Sequence, residues 1–144
     1  MSSRRKITAA RRVQYGALPY RLSAGSRPQF MLVTSRETRR WIIPKGWPKK
    51  GKSPHHSAAR EAFEEAGVVG AVASRSVGSF TYEKNGGAVV CEVRVFPLQV
   101  RRQNKQWPEK QERVVKWLSA PQAAEKVKEP KLSTIILRLA RRYD

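Results

Sequence analysis

Glu61, Glu64 and Glu65 are the residues of this chain whose type and spacing point most directly to chemistry. On a helix, Glu61 to Glu64 is an i,i+3 step and Glu61 to Glu65 an i,i+4 step, so the three carboxylates are neighbours. Clustered negative charges repel one another unless a cation sits among them. Carboxylates are hard oxygen ligands that suit Mg²⁺ or Mn²⁺, and Mg²⁺ usually completes its shell with waters and phosphate oxygens of a substrate. Arg60 lies four residues before Glu64 and is placed to hold that carboxylate. Just upstream runs the basic, glycine-containing loop Gly46-Trp47-Pro48-Lys49-Lys50-Gly51-Lys52. Taken alone, a glutamate-rich helix face is more often a solvated surface, so the surrounding elements matter.

The helix is bounded at both ends. Ser53 followed by Pro54 reads as N-cap and first helical position, and Gly67 as the residue that stops it. At about 100° per residue, Ala58, Ala59, Ala62, Phe63 and Ala66 form a packing stripe, with the three glutamates projecting from the other side. Strands are predicted over residues 13–21, 30–34 and 41–43, the third leading straight into Pro44-Lys45-Gly46. After the helix, residues 68–77, 79–83 and 88–100 read as strands, with Asn85-Gly86-Gly87 as a hairpin turn between the last two. Residues 113–118 read as a strand, and 121–127 and 132–142 as helices. The last carries Leu132, Ile135, Ile136, Leu139 and Ala140 on one face. This order implies an α/β fold with a mixed sheet covered on both sides, and shows no internal repeat or interdomain linker.

At 144 residues and 40% hydrophobic content, the chain has room for one core. Residues 1–12 read as a basic tail, and residues 13–144 as a single domain. No apolar run approaches the roughly 20 residues needed to span a bilayer, and no secretory signal is apparent. The single cysteine, Cys91, sits in the largely apolar run 88–93 and reads as a core thiol, in keeping with a reducing cytoplasm. A net charge of +19 calls for anionic partners: inositol polyphosphates, nucleoside polyphosphates, polyphosphate or RNA. Part of that excess is expected to be solvated tail, with Arg4, Arg5, Lys6, Arg11 and Arg12 at the start and Lys126, Lys128, Lys131, Arg138, Arg141 and Arg142 near the end.

Gly46, Arg60, Glu61, Ala62, Glu64, Glu65, Gly67 and Val68 stand in register with one motif. It runs Gly, five residues, Glu, seven residues, Arg-Glu, aliphatic, any, Glu-Glu, any, Gly, aliphatic. Through it the chain resembles the Nudix hydrolase family, which implies an α/β/α sandwich and metal-dependent hydrolysis of a diphosphate linkage. Lys52 stands where that pattern has its first Glu. Activity is expected to survive the change, because in the family this Glu is less central than the other three; Lys52 either adds charge beside the phosphates or points to solvent. The resemblance implies Mg²⁺, with Mn²⁺ as substitute, held by Glu61, Glu64 and Glu65 with help from the Gly46 carbonyl. Glu61 and Arg60 are then the catalytic candidates, Glu61 as proton acceptor.

Outside the motif, Ser35-Arg36, Arg40-Trp41, Ile42-Ile43-Pro44, Glu112-Arg113 and Lys116-Trp117 are similar to the diphosphoinositol polyphosphate phosphohydrolases. That similarity implies phosphate contacts from Arg36 and Arg40, with Lys45, Arg21 and Arg113 as weaker candidates. His55 and His56 are adjacent on the helix and are expected to point in different directions at the surface. Trp41 and Trp117 are expected in the core, and Trp107 to be the exposed tryptophan, stacking on a base or pinning a loop. Glu109 or Glu112 is a candidate late-loop carboxylate. Three functions follow: a hydrolase of diphosphoinositol or dinucleoside polyphosphates, a hydrolase of RNA 5′ ends or damaged nucleotides, or a non-catalytic RNA-binding or regulatory module. Oligomeric state stays open.

Overall fold

Alternation along the strands sets the architecture of the computed structural model, which describes residues 9–23, 25 and 27–144. Arg4, Arg5 and Lys6 of the expected tail lie outside them. In strand β2 (Gln29–Thr34), Phe30 and Leu32 face one side of the sheet while Met31 and Val33 face the other, and all four are fully buried. A strand buried on both faces needs a layer on each side. One layer is helix α1 (Pro54–Ala66), whose Ala58, Ala62 and Ala66 pack on Ala17, Met31, Val33 and Ile42. The other holds α2 (Ala120–Lys126) and α3 (Pro130–Arg141) over Leu18, Phe30, Leu32 and Val95. Leu132, Ile135, Ile136 and Leu139 of α3 form its buried face. Each such side chain contributes about 1.5–3 kcal/mol of transfer free energy.

The sheet is mixed. Strand β1 (Ala10–Arg21) runs parallel to β7 (Val89–Gln103) from Ala10 opposite Val89 to Tyr20 opposite Gln99. All other pairings are antiparallel. Strand β3 (Trp41–Ile42) and β8 (Val115–Ser119) pair with β2, and β4 (Lys45–Gly46) pairs with β1. On its edge away from β1, the fifteen-residue β7 carries two partners in turn, β6 (Gly78–Lys84) on its first half and β5 (Val68–Val72) on its second. The order β3-β2-β1-β7-β5, with helices on both faces, is the α/β sandwich expected.

Several boundaries differ from the sequence reading; β7 runs on to Gln103 rather than Val100, and β8 begins at Val115 rather than Arg113. β1 starts at Ala10 rather than Val13, because parallel β7 supplies partners for Ala10, Arg11 and Arg12; these are sheet residues, not tail. β5 stops at Val72 rather than Val77: Ala73 N–H still donates to Pro97 O at 2.9 Å, the polar residues 74–76 bend away, and the chain rejoins β7 at Val77, whose N–H donates to Val95 O at 2.9 Å just before β6. Lys45 and Gly46, read as loop, form the short strand β4. Residues 85–87 make a 3₁₀ turn.

The helix ends follow local chemistry. Gly67 sits at φ 71° and its N–H donates to Phe63 O at 2.9 Å, the αL stop that glycine allows. Ser53 precedes α1 without a side-chain cap, because its hydroxyl is bonded to His55 and His56 Nδ1 at 3.3 and 2.8 Å. The two rings lie 4.2 Å apart, so they share a partner rather than diverge. Ser119 and Gln122 form a reciprocal capping box at α2: the serine hydroxyl accepts from Gln122 N–H at 3.3 Å, and the Gln122 side chain from Ser119 N–H at 3.1 Å. Ser119→Ala is expected to lower unfolding free energy by about 1 kcal/mol in a denaturant titration; an unchanged midpoint would contradict that role.

Candidate active site

Helix α1 and strand β4 meet closely at Gly46, where a side chain would displace the Glu61 carboxylate. A Cβ on Gly46 would lie 2.3 Å from Glu61 Cδ. Gly46 is fixed opposite Tyr15 of β1, and its bare backbone leaves the room in which the Glu61 carboxylate sits. Glu61 and Glu65 are buried, 7% and 2% exposed, which corrects their placing on a free helix face. The packing face of α1 includes both glutamates with Ala58, Ala62 and Ala66, while Ala59 and Phe63 are only partly buried. Glu64 is more open and accepts from Arg60 Nε at 2.9 Å, as the i,i+4 spacing requires.

Glu65 is held from two sides. Its Oε2 accepts from Lys45 N–H at 3.3 Å, and Oε1 lies 3.6 Å from Arg113 Nη1, near enough for charge attraction but without a hydrogen bond. Burial pushes its pKa up to about 8 against the pull of Arg113, and the neighbouring Glu61 adds to the rise. Burial also lowers the pKa of Lys45, with the Glu65 charge opposing; its ammonium stands over the Tyr82 ring at 4.4 Å.

The end of β7 and the segment after it fasten the C-terminal end of α1. Helix ends leave carbonyls without intrahelical partners, and here the chain satisfies them in turn. Glu109 N–H donates to Glu64 O at 2.9 Å, Trp107 Nε1 to Glu65 O at 3.2 Å, Gln103 Nε2 to Ala66 O at 3.1 Å and Asn104 N–H to Gly67 O at 2.8 Å. Trp107 is thus a partly buried pin lying against Gly67, not the exposed tryptophan; Trp47 is, at 46%. Glu109 accepts from Arg113 Nε at 2.8 Å and so braces the arginine beside Glu65, while Glu112 accepts from Arg36 Nη1 at 3.1 Å.

A cleft of about 600 Å³ opens beside Glu65. Of the expected phosphate contacts, Arg36, Arg40, Lys45 and Arg113 line it. The turn 35–40, closed by Ser35 N–H to Arg40 O at 2.8 Å, presents Arg36 and Arg40, and Arg40 leans on Glu129 at 3.5 Å. Arg113 is largely enclosed, donating to Thr34 O at 3.0 Å, and serves to position Glu65. Arg21 does not belong here: its guanidinium stacks on Trp117 at 4.2 Å and donates to Gln29, outside the cleft lining. Arg12, Lys84 and Trp47 also line the cleft and were missed, Arg12 because it read as tail and Lys84 because a strand-end lysine carries no motif.

Lys49 is the other omission. Its ammonium lies 2.7 Å from Glu61 Oε2 and 3.6 Å from Glu64 Oε1. Among the described residues no three acidic, cysteine or imidazole side chains are gathered into a ready ion cage. The donor set nonetheless fits a hard divalent ion, with carboxylate oxygens concentrated at one end of the sheet and Glu65 Oε1 buried without a hydrogen-bond donor. Lys52 is exposed, its side chain on the solvent side of the loop.

Comparison with known proteins agrees with this geometry. The family model for the NUDIX domain matches residues 11–139. Nudix hydrolase 21, chloroplastic, of Arabidopsis thaliana is 32% identical over 121 residues, covering 82% of this chain and 61% of that protein. Nudix hydrolase 18, mitochondrial, of the same plant is 29% identical over 124 residues, covering 82% and 70%. The chain therefore spans less than two thirds of the first relative's length. The fold is shared with a C. elegans Ap4A hydrolase in a binary complex, at a TM-score of 0.71 and 20% identity over 91% of this chain and 96% of that one. It is shared too with the NUDIX domain of Shewanella oneidensis NrtR complexed with ADP ribose, at a TM-score of 0.70 and 14% identity over 97% and 93%. With the motif on α1, the sandwich around it and a family match over nearly its whole length, the chain belongs to the Nudix family.

Proposed function

We propose that the chain is a divalent-metal-dependent hydrolase of diphosphate linkages in highly phosphorylated small molecules, of the diphosphoinositol polyphosphate or dinucleoside polyphosphate class. The observation that carries this reading is the cleft itself: Arg12, Arg36, Arg40, Lys45, Lys84 and Arg113 line one cavity that reaches Glu65. Such a density of cations suits several phosphates at once, with the guanidinium forks able to bind bidentately. Glu61, Glu64, Glu65 and the Gly46 carbonyl would hold Mg²⁺ or Mn²⁺, which when bound offsets phosphate charge and acidifies a water. Glu61, given room by Gly46, takes the proton of the attacking water. Arg60 keeps Glu64 in place, and Arg113 with the Lys45 amide keeps Glu65 in place. Arg36 and Arg40, on the mouth of the cleft, hold the outer phosphates.

The relatives' names support a diphosphate-containing substrate: Nudix hydrolases in Arabidopsis, an Ap4A hydrolase and an ADP ribose complex among proteins of the same fold. Trp47 favours the nucleotide side of that choice. It is exposed in the cleft lining, with Lys84 Nζ over its ring at 5.4 Å, and an exposed indole beside a cation suits a nucleotide. The test is phosphate release with Mg²⁺ from a diphosphoinositol polyphosphate, a dinucleoside polyphosphate, nucleoside triphosphates and 5′-triphosphate RNA. Turnover of one of the first two classes above the others is expected. Preference for RNA ends would move the assignment to the second reading, and silence across the panel with salt-sensitive RNA binding would replace catalysis by a binding role.

A further inference from the structure

Of the three lysines between Gly46 and α1, only Lys49 turns inward. Lys50 and Lys52 are exposed, whereas the Lys49 ammonium is bonded to Glu61 and stands within 3.6 Å of Glu64. Those are two of the three carboxylates read above as metal ligands, and the inference rests on that reading. The loop backbone around Lys49 is pinned: its N–H donates to Ser57 Oγ at 3.2 Å, its carbonyl accepts from Lys52 N–H at 3.0 Å, and Gly51 turns the chain at φ 77°. The flexible four-carbon stem is what can move. An ammonium and a divalent ion cannot share the space between the same two carboxylates, since both are cations and each needs the same oxygens.

We propose that Lys49 is a mobile counter-ion of the metal site, whose ammonium neutralises Glu61 and Glu64 when no divalent ion is bound and competes with that ion for them. Metal affinity is then set by this chain's own loop and not by the carboxylates alone. A single side-chain swing clears the site while the loop keeps its shape.

The test is direct titration of chelator-treated protein with Mn²⁺, followed by electron paramagnetic resonance without substrate. Lys49→Met is expected to bind Mn²⁺ about tenfold more tightly than the unaltered chain, since the competing charge is gone. Lys50→Met removes the same charge from the same loop without touching the carboxylates and is expected to stay within about twofold. A variant that only damaged the fold would bind less Mn²⁺, the opposite sign. The metal-free Lys49→Met protein should also melt lower and recover more on adding saturating Mg²⁺, because an ion that binds only the folded state adds stability. Equal affinity in both variants, or weaker binding in Lys49→Met, overturns the proposal even if turnover persists. Loss of the hydrolase reading would show separately, as no phosphate release from the unaltered protein.

Discussion

Replacing Glu64 by Gln is expected to lower turnover about a thousandfold while leaving the fold intact. The side chain lies on the outer part of α1, about a quarter exposed, and no core contact depends on its charge. Gln keeps its length and still offers an oxygen to Arg60 Nε, now 2.9 Å from the carboxylate. What it removes is one negative charge where, on the proposed function, a divalent ion would be held. A thousandfold loss corresponds to roughly 4 kcal/mol of barrier, within the range of preorganised electrostatic stabilisation. The unfolding free energy should change by no more than about 0.5 kcal/mol, as for a surface substitution. A Gln variant with undiminished kcat and metal affinity would remove Glu64 from the site.

Gly46→Ala is expected to cost about a hundredfold in kcat/KM with a much smaller effect on stability. The new methyl would stand 2.3 Å from Glu61 Cδ and 2.4 and 2.6 Å from its two oxygens. β4 is paired to β1 at this residue, so the strand resists moving and the carboxylate must swing away. Glu61 then loses its place beside Glu65 and its bond to Lys49. A displacement of about 1 Å in a catalytic group is enough for a hundredfold loss. Metal affinity should fall in parallel, while the melting transition stays near that of the unaltered chain. Wild-type rates in the alanine variant would show that Glu61 needs no such room.

Local chemistry made α1 legible: Pro54 at its start and Gly67 at its end need only neighbouring residues to act. The same holds for the apolar face of α3 and the alternation in β2. What depended on distant chain was not legible. Periodicity gave α1 an alanine stripe and a free acidic side, but Glu61 and Glu65 are buried because β4 and Arg113, far apart in sequence, close over them. Arg12 read as tail until β7 came to lie parallel beside it. Trp107 looked exposed between Gln106 and Pro108, yet the carbonyl of Glu65 needs a donor and the indole N–H supplies it. The inward turn of Lys49 among three similar lysines follows from the position of Glu61, which no local pattern contains.

The most direct measurement of the central claim is phosphate release from a dinucleoside polyphosphate and a diphosphoinositol polyphosphate by chelator-treated protein, before and after Mg²⁺ is restored, with Glu64→Gln alongside. Turnover that is absent without Mg²⁺, returns with it and is lost in Glu64→Gln is the expected result. Hydrolysis that is indifferent to Mg²⁺ or survives in Glu64→Gln would contradict a metal-dependent site on α1.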